Sequence, residues 1–264
     1  MRAAAKNAAV RFTLGVAHTS LGRRAVRGAM RTLLKLTVDM SPDARLATVT
    51  DWPDTLHGFE DLSFVFTSSQ LDNGIAQLTI EEAAHLFRTA RDAGPGTLVE
   101  IGRYKGGSTL VLATAMHPEA RLVSYDLHAV PGVPSAEFDR ELREVLARYG
   151  LVERVDLVVG DSRTAELPDG CVLVFVDGDH SLEGVRADYE HWKRALEPGG
   201  HLLFHDAPNR SKLAEGGCEP VGEAVAEIER RDARFFTRAA QADSIADFVR
   251  TAEHFPDQPP RQSR

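Results

Sequence analysis

Cysteine is scarce in this chain of 264 residues: Cys171 and Cys218 are the two present. That excludes a disulfide framework and favours a reducing compartment. Long apolar runs are absent too, and at the start Ala8-Ala9-Val10 is broken at once by Arg11. Neither a bilayer span nor a signal-peptide core is expected, and the expectation is a soluble, cytoplasmic protein. Acid is missing from residues 1–38, which carry eight cations: Arg2, Lys6, Arg11, Arg23, Arg24, Arg27, Arg31 and Lys35. Set against a whole-chain charge of −8, they leave the remainder at −16. A body of that sign repels polyanions, so nucleic acid is not expected as a partner. The basic leader reads two ways, as a transit or membrane-surface helix or as a solvated, partner-docking cap.

The next absence is one glycine of a dinucleotide-binding turn. Leu98, Val99 and Ile101 form an apolar run suited to a buried strand, Gly102 ends it, and Gly106-Gly107-Ser108 open a helical pattern through Met116. Strand, glycine turn and helix bring backbone N–H groups and a positive dipole end to one spot, with no Cβ to hold a ligand away. A dinucleotide fingerprint needs G-x-G-x-x-G, but Tyr104 stands where its second glycine belongs. Glu100 at the strand end and Ser108 at the helix start suit a ligand with an amino group, a carboxylate and ribose hydroxyls but no phosphate. S-adenosylmethionine is such a ligand.

Glu100-Ile-Gly-Arg-Tyr-Lys-Gly-Gly-Ser108 resembles the first motif of class I S-adenosylmethionine-dependent methyltransferases, and its E-x-G-x-Y-x-G-x-S form is similar to the catechol O-methyltransferase branch. The resemblance covers residues 80–250. It implies cofactor contacts from Glu100, Gly102, Tyr104, Gly106 and Ser108.

Downstream, strands and helices alternate. Strands are expected at 121–126, 155–159, 171–176 and 201–204, and helices at 136–149, 182–196 and 221–231, with Pro198-Gly-Gly200 closing the second of these. A hairpin at 233–237 and 244–249 completes the pattern. Alternation of this kind gives a doubly wound α/β fold built on a mostly parallel sheet. The resemblance implies seven strands, the last reversed. Thr79-Ile-Glu-Glu82 reads as a capping box for the helix leading into the first strand. Three regions are expected: a basic helical extension at 1–78, whose turn-rich part from residue 39 is either a substrate cover or a linker, the cofactor-binding domain at 79–252, and a disordered tail at 253–264.

Ligands in such sheets bind at the carboxyl ends of the strands. Asp126 ends the second strand, where a carboxylate accepts two hydrogen bonds from a ribose diol, a device nicotinamide enzymes share. Asp161 and Ser162 follow the third; they either meet the adenine, as the resemblance implies, or cap a helix. After the fourth strand, Val176-Asp177-Gly178-Asp179-His180 puts two carboxylates and an imidazole within four residues. Asp206 ends strand five, so Asp177 and Asp206 are candidate oxygen ligands for a hard divalent cation such as Mg2+, which would bind the oxygens of a hydroxyl substrate.

In the catechol- and caffeoyl-CoA-type relatives the first metal Asp is followed three places on by a Lys that takes the substrate proton; His180 holds that place here, and the macrolide-sugar O-methyltransferases look similar in using a His. His180 is therefore the candidate general base, with Asp177 beside it. Those relatives follow the second Asp with Asn, whereas Ala207 follows Asp206 and the nearest Asn is Asn209. Either His205, Asp179, Asn209 or water completes the metal site, or no metal binds and Asp177 orients His180. The expected function is O-methylation of a small-molecule or sugar hydroxyl. A nicotinamide oxidoreductase and a non-catalytic scaffold are the alternatives, and whether the chain forms a homo-oligomer stays open. The loop Ala214-Glu-Gly-Gly-Cys218, with residues 39–78, is expected to shape the acceptor pocket.

Overall fold

The computed structural model describes residues 44–66, 74–129, 132–208, 217–252 and Phe255. The basic leader, Asn209 and most of the C-terminal tail lie outside the described residues, as do parts of the two loops expected to shape the acceptor pocket. Arg45–Thr67 and Ile75–Arg264 form one compact unit, which carries every element named here.

Seven strands form one sheet in the order β3-β2-β1-β4-β5-β7-β6. The strands are β1 Thr97–Ile101, β2 Arg121–Asp126, β3 Val155–Val159, β4 Cys171–Val176, β5 Leu196–Phe204, β6 Phe236–Ala242 and β7 Ile245–Arg250. The first five are parallel; β7 runs antiparallel between β5 and β6. The helices are α1 Ile80–Asp92, α2 Gly107–Ala115, α3 Ser135–Arg148, α4 Leu182–Trp192 and α5 Glu219–Arg231.

Composition explains the layering. In β4 every residue but Val172 is buried, as a strand covered on both faces requires. Every residue of α2 but Thr114 is buried, so this short helix is apolar all round rather than striped. α1 packs on α2 and α4 on α5. Val185, Tyr189 and Trp192 of α4 join Val221, Val225 and Ile228 of α5 over Val174, Val176, Leu202 and Phe204 of the sheet. The apolar run Leu62–Phe66 lies in a 3-10 helix, Phe59–Phe66, that buries Leu62, Phe64 and Val65.

Two boundaries differ from the sequence expectation: the strand expected at 233–237 runs from Phe236 to Ala242, and the fourth helix is shorter than its pattern. The helix expected to reach residue 196 stops at Trp192, and β5 begins at Leu196 and runs through Pro198-Gly-Gly200. Leu196 pairs with Cys171 and the next pair is His201 with Leu173, so the intervening residues bulge out of the ladder. A bulge is where a strand tolerates a proline, which has no N–H to donate.

The chain leaves β1 for β2 and β3 and then returns to β4, so β1 and β4 flank a topological switch point. Their ends are laced to their neighbours: Gly102 N donates to Tyr125 O (2.9 Å), Asp177 N to Ile101 O (2.8 Å), Gly160 N to Asp126 O (3.0 Å) and His205 N to Val176 O (3.0 Å). The loops after five parallel strands are thereby fixed in a row, which is where ligands bind in sheets of this kind.

Candidate active site

A cavity of about 410 Å3 opens at the switch point, within the size range of small-molecule sites. Gly102, Tyr104, Ser108, Asp126, Asp161, Ser162 and Asp177 all line it. Gly102 is where the two halves of the sheet meet most closely. Its φ is +85°, and a Cβ there would lie 2.3 Å from the carbonyl oxygen of Asp177. Only glycine satisfies both the backbone and the approach.

Asp126 is aimed by main-chain amides: Arg103 N (3.2 Å), Tyr104 N (3.0 Å) and His128 N (2.7 Å) donate to its carboxylate. Tyr104 and His128 both sit at positive φ, 48° and 51°, which turns those N–H groups toward it. Such strain in non-glycine residues is tolerated where surrounding structure enforces it.

Glu100 has a different environment. It is fully buried and accepts from the hydroxyls of Ser108 (2.5 Å), Thr109 (2.6 Å) and Ser124. Burial raises its carboxyl above the ordinary range, with the three hydroxyl donors acting against that rise. Glu100 thus ties β1 to β2 and to the first turn of α2, and it does not line the cavity. Gly106 does not line it either; in the left-handed conformation it forms the N-cap of α2.

Arg103, unnoticed in the sequence reading, anchors the glycine turn. Its guanidinium is buried and grips Asp139 of α3 in a two-point pair (2.6 and 2.5 Å) while donating to the carbonyls of Ser124 (2.9 Å) and Val158 (2.8 Å). The rigid guanidinium fork suits this arrangement, in which one side chain spans two strands and a helix.

At the third strand end, Asp161 accepts from Arg163 N (3.0 Å), starting a 3-10 turn, and pairs with the Arg163 guanidinium (2.7 Å). Hydrogen bonding from Arg163 lowers the Asp161 carboxyl. Ser162 donates 3.1 Å to Asp188 of α4, whose burial raises its carboxyl to about 6. Asp188 lines the cavity as well. Its place in the apolar spacing of α4 offered no hint of that.

The β4 and β5 ends are held by imidazoles. Asp177 Oδ1 faces His205 Nδ1 at 2.8 Å and His180 Nε2 at 3.3 Å. His205 Nε2 faces Glu82 Oε2 at 3.4 Å, and Glu82 also accepts from Ser244 N (2.9 Å), Ser244 Oγ (2.6 Å) and Thr79 N (2.7 Å). The capping box predicted at Thr79–Glu82 therefore forms, and its acid doubles as the outer end of a chain running Glu82, His205, Asp177, His180.

Burial opposes the charged form of His205, but the charge and hydrogen bonding of Asp177, aided by Glu82, outweigh it and raise the imidazole to about 11. Burial likewise opposes ionisation of Glu82, and hydrogen bonds from His205, Ser244 and Thr79 outweigh it, lowering the carboxyl to about 2. Asp177 is lowered against its burial by the charge of His205 and by His180. The hydrogen bond to Asp177 raises His180, with burial opposing and the charges of Asp177 and Asp206 assisting.

His180 Nδ1 lies 3.5 Å from Asp206 Oδ2, so its ring stands between the two carboxylates expected to share a cation. Among the described residues, the group whose donor atoms all lie within 4.8 Å of one another is His180, Asp206 and Cys218. Asp177 is outside that group. Asp179 accepts from Ser181 N (2.9 Å) at the start of α4.

Residues 99–207 match the model of a methyltransferase-domain family. The fold is that of the class I S-adenosylmethionine-dependent methyltransferases. The fold agrees with solved structures. One is a methyltransferase from Podospora anserina bound to S-adenosylhomocysteine (TM-score 0.55, 18% identity, covering 78% of this chain and 91% of that one). Another is an O-methyltransferase from Bacillus cereus in complex with S-adenosylhomocysteine (TM-score 0.51, 16% identity, 66% and 82%). A third is a methyltransferase from Geobacter sulfurreducens (TM-score 0.52, 21% identity, 66% and 80%). Among the described residues, no helix is long and apolar enough to cross a membrane.

Proposed function

We propose that the protein is an O-methyltransferase that moves the methyl group of S-adenosylmethionine to a hydroxyl of a small molecule or sugar. The observation that carries this reading is a single cavity lined by the amide-fixed Asp126 and, at the β4 end, by Asp177, which His180 faces. Residues 79–252 are the cofactor-binding domain in this reading, and Ile75, Gln77 and Leu78, just before it, line the same cavity. Neither Cys171 nor Cys218 is in a disulfide, which fits a cytoplasmic setting.

The cavity suits the cofactor. Asp126 receives three main-chain N–H groups and still lines the cavity, where its carboxylate would accept from the ribose hydroxyls. The Asp161–Ser162 turn would meet the adenine, and the bare Gly102 backbone, with Tyr104 and Ser108, would border the methionine portion. Glu100 serves by fixing Ser108 and the strand ends. The bound cofactor supplies an activated methyl on a sulfonium, so what is left to the protein is alignment and removal of the acceptor proton.

His180 would take that proton. Two carboxylates beside the ring favour the imidazolium, which strengthens it as a base once it is neutral. Activity should therefore rise with pH through a value above the ordinary 6.5 of histidine. Asp177 orients the ring, and His205 with Glu82 orients Asp177.

Mg2+ fits these residues poorly. That ion asks for a near-octahedral set of oxygens, whereas Asp177 is committed to two imidazoles, Ala207 replaces the expected Asn, and the donors that converge include a nitrogen and a sulfur. No step of the transfer is derived through it.

Calorimetric titration with S-adenosylhomocysteine tests the cofactor assignment. Micromolar-range binding that weakens in Asp126→Asn supports it; tighter binding of NAD than of S-adenosylhomocysteine, or binding of neither, overturns it. A panel of phenolic and sugar hydroxyl acceptors, read by methyl transfer across pH, then tests the base.

A further inference from the structure

The donors beside the acceptor end differ from those a hard cation takes, and the difference points to another ion. We propose that His180, Asp206 and Cys218 form a binding site for a borderline-soft divalent cation of the zinc class. His180 Nδ1 is 3.5 Å from Asp206 Oδ2, and Cys218 Sγ is 3.9 Å from the same oxygen. A tetrahedral ion with Zn–N and Zn–O bonds of about 2.0 Å and a Zn–S bond of about 2.3 Å would set nitrogen and oxygen about 3.3 Å apart, and oxygen and sulfur about 3.5 Å apart. Contraction by a few tenths of an ångström brings both of these pairs to that geometry, and all three donor atoms already lie within 4.8 Å of one another.

The backbone brings the three together across distant sequence. Asp206 sits at φ 57° directly after β5, and Cys218 N donates to its carbonyl (2.6 Å), pinning the start of α5 to the strand end. Gly217, at φ +96°, permits this closure, since a Cβ there would lie 2.6 Å from the Asp206 carbonyl oxygen. His180 arrives from the β4 loop.

The surroundings of His180 resemble those of a metal-bound imidazole. Its other ring nitrogen, Nε2, faces Asp177 Oδ1 at 3.3 Å. Metal-bound histidines commonly give their second ring N–H to a carboxylate, which fixes the tautomer and leaves the opposite lone pair for the ion. Asp177 is itself braced by His205 and Glu82, so the supporting hydrogen bonds extend to helix α1. Imidazole with thiolate selects zinc-class ions over Mg2+ and Ca2+, which prefer oxygen. Three protein ligands leave the fourth tetrahedral position open to water or another oxygen. On binding, the Cys218 thiol proton leaves to solvent as the sulfur–metal bond forms. A cation on Nδ1 takes the lone pair that His180 needs to accept a proton there, so ion binding and base action at that atom exclude each other.

Cobalt(II) titration of the reduced full-length protein, with zinc competition, is the test. The expected result is a near-ultraviolet thiolate-to-cobalt band with the visible bands of tetrahedral cobalt, all bleached by zinc. In Cys218→Ser the thiolate band should vanish and cobalt affinity should fall at least tenfold. His180→Gln should weaken affinity similarly, which covers the case in which the cysteine variant does not fold. Absence of cobalt and zinc binding in a protein that still binds S-adenosylhomocysteine overturns the metal site and leaves the methyltransferase reading standing. Binding unaffected by both substitutions, or octahedral cobalt displaced equally well by Mg2+, also overturns it. Zinc-class binding without S-adenosylhomocysteine binding would uphold the site and sink the function proposed above.

Discussion

The two halves of the sheet hold the carboxylates at their carboxyl ends by different means. On the β1–β2–β3 side, Glu100 is satisfied by three hydroxyls and Asp126 by three main-chain amides, donors that keep their protons across the physiological range. On the β4–β5 side, Asp177 and Glu82 are satisfied in large part by imidazoles, and Asp206 faces one. The first arrangement makes a receptor held by fixed donors. The second makes a site whose protons can move. In the function proposed above, proton removal and cofactor capture fall on opposite sides of Gly102.

Gly102→Ala would break the contrast outright, because its Cβ would press on the Asp177 backbone that joins the two sides. We expect loss of at least about 4 kcal/mol of stability, at the severe end of single substitutions, read by chemical denaturation, with S-adenosylhomocysteine binding abolished. Next in size is Arg103→Met, which leaves the Asp139 carboxylate facing His128 alone (3.1 Å) and removes the guanidinium from two strand carbonyls. Removing one partner of a buried ion pair costs about 3–5 kcal/mol, again read by denaturation, and retention of wild-type stability would show that the turn does not depend on this anchor.

The imidazole side should reveal itself through pH. Glu82 lies below its ordinary value, so its contribution to stability is complete above about 4.5 and is lost as pH falls toward 2. His205 lies above its ordinary value, so its contribution is complete below about 6.5 and is lost as pH rises toward 11. Both are in force between those limits. Urea unfolding of the wild type against His205→Gln should therefore differ most near pH 5–6, by about 2 kcal/mol or more for a buried charged network, and converge toward either extreme. A pH-independent difference would mean that His205 acts by packing alone.

Asp126→Asn sharpens the other side: its shape is kept while the charge is removed. Loss of hydrogen bonds to a charged group predicts about 10- to 100-fold weaker S-adenosylhomocysteine binding, read by calorimetric titration. The smallest effect is expected from Arg163→Ala. Its pair with Asp161 is about one-third exposed, and such pairs contribute less than about 1 kcal/mol. A larger loss in cofactor affinity would show that Arg163 also orients the adenine-side turn.

Much of this arrangement was legible in the chain itself. The apolar run 98–101 with Gly102, the alternating elements after it, Thr79 with Glu82, and the acids closing β2, β4 and β5 are local signals, fixed by periodicity and by what a strand end or helix start requires. Those signals determined the fold class and the positions of Asp126, Asp177, His180 and Asp206. What only the tertiary structure decided is which groups those acids meet. Glu82 and His205 are 123 residues apart in sequence, Arg103 reaches Asp139 across 36, and Cys218 returns to Asp206 past a loop. No periodicity encodes such pairings, because they depend on strand order and on where each helix docks. Glu100 shows the same limit: its place at the strand end suggested a ligand contact, and folding surrounded it with Ser108, Thr109 and Ser124. A residue's type and local position set what it can bind, while burial and neighbours set what it does bind.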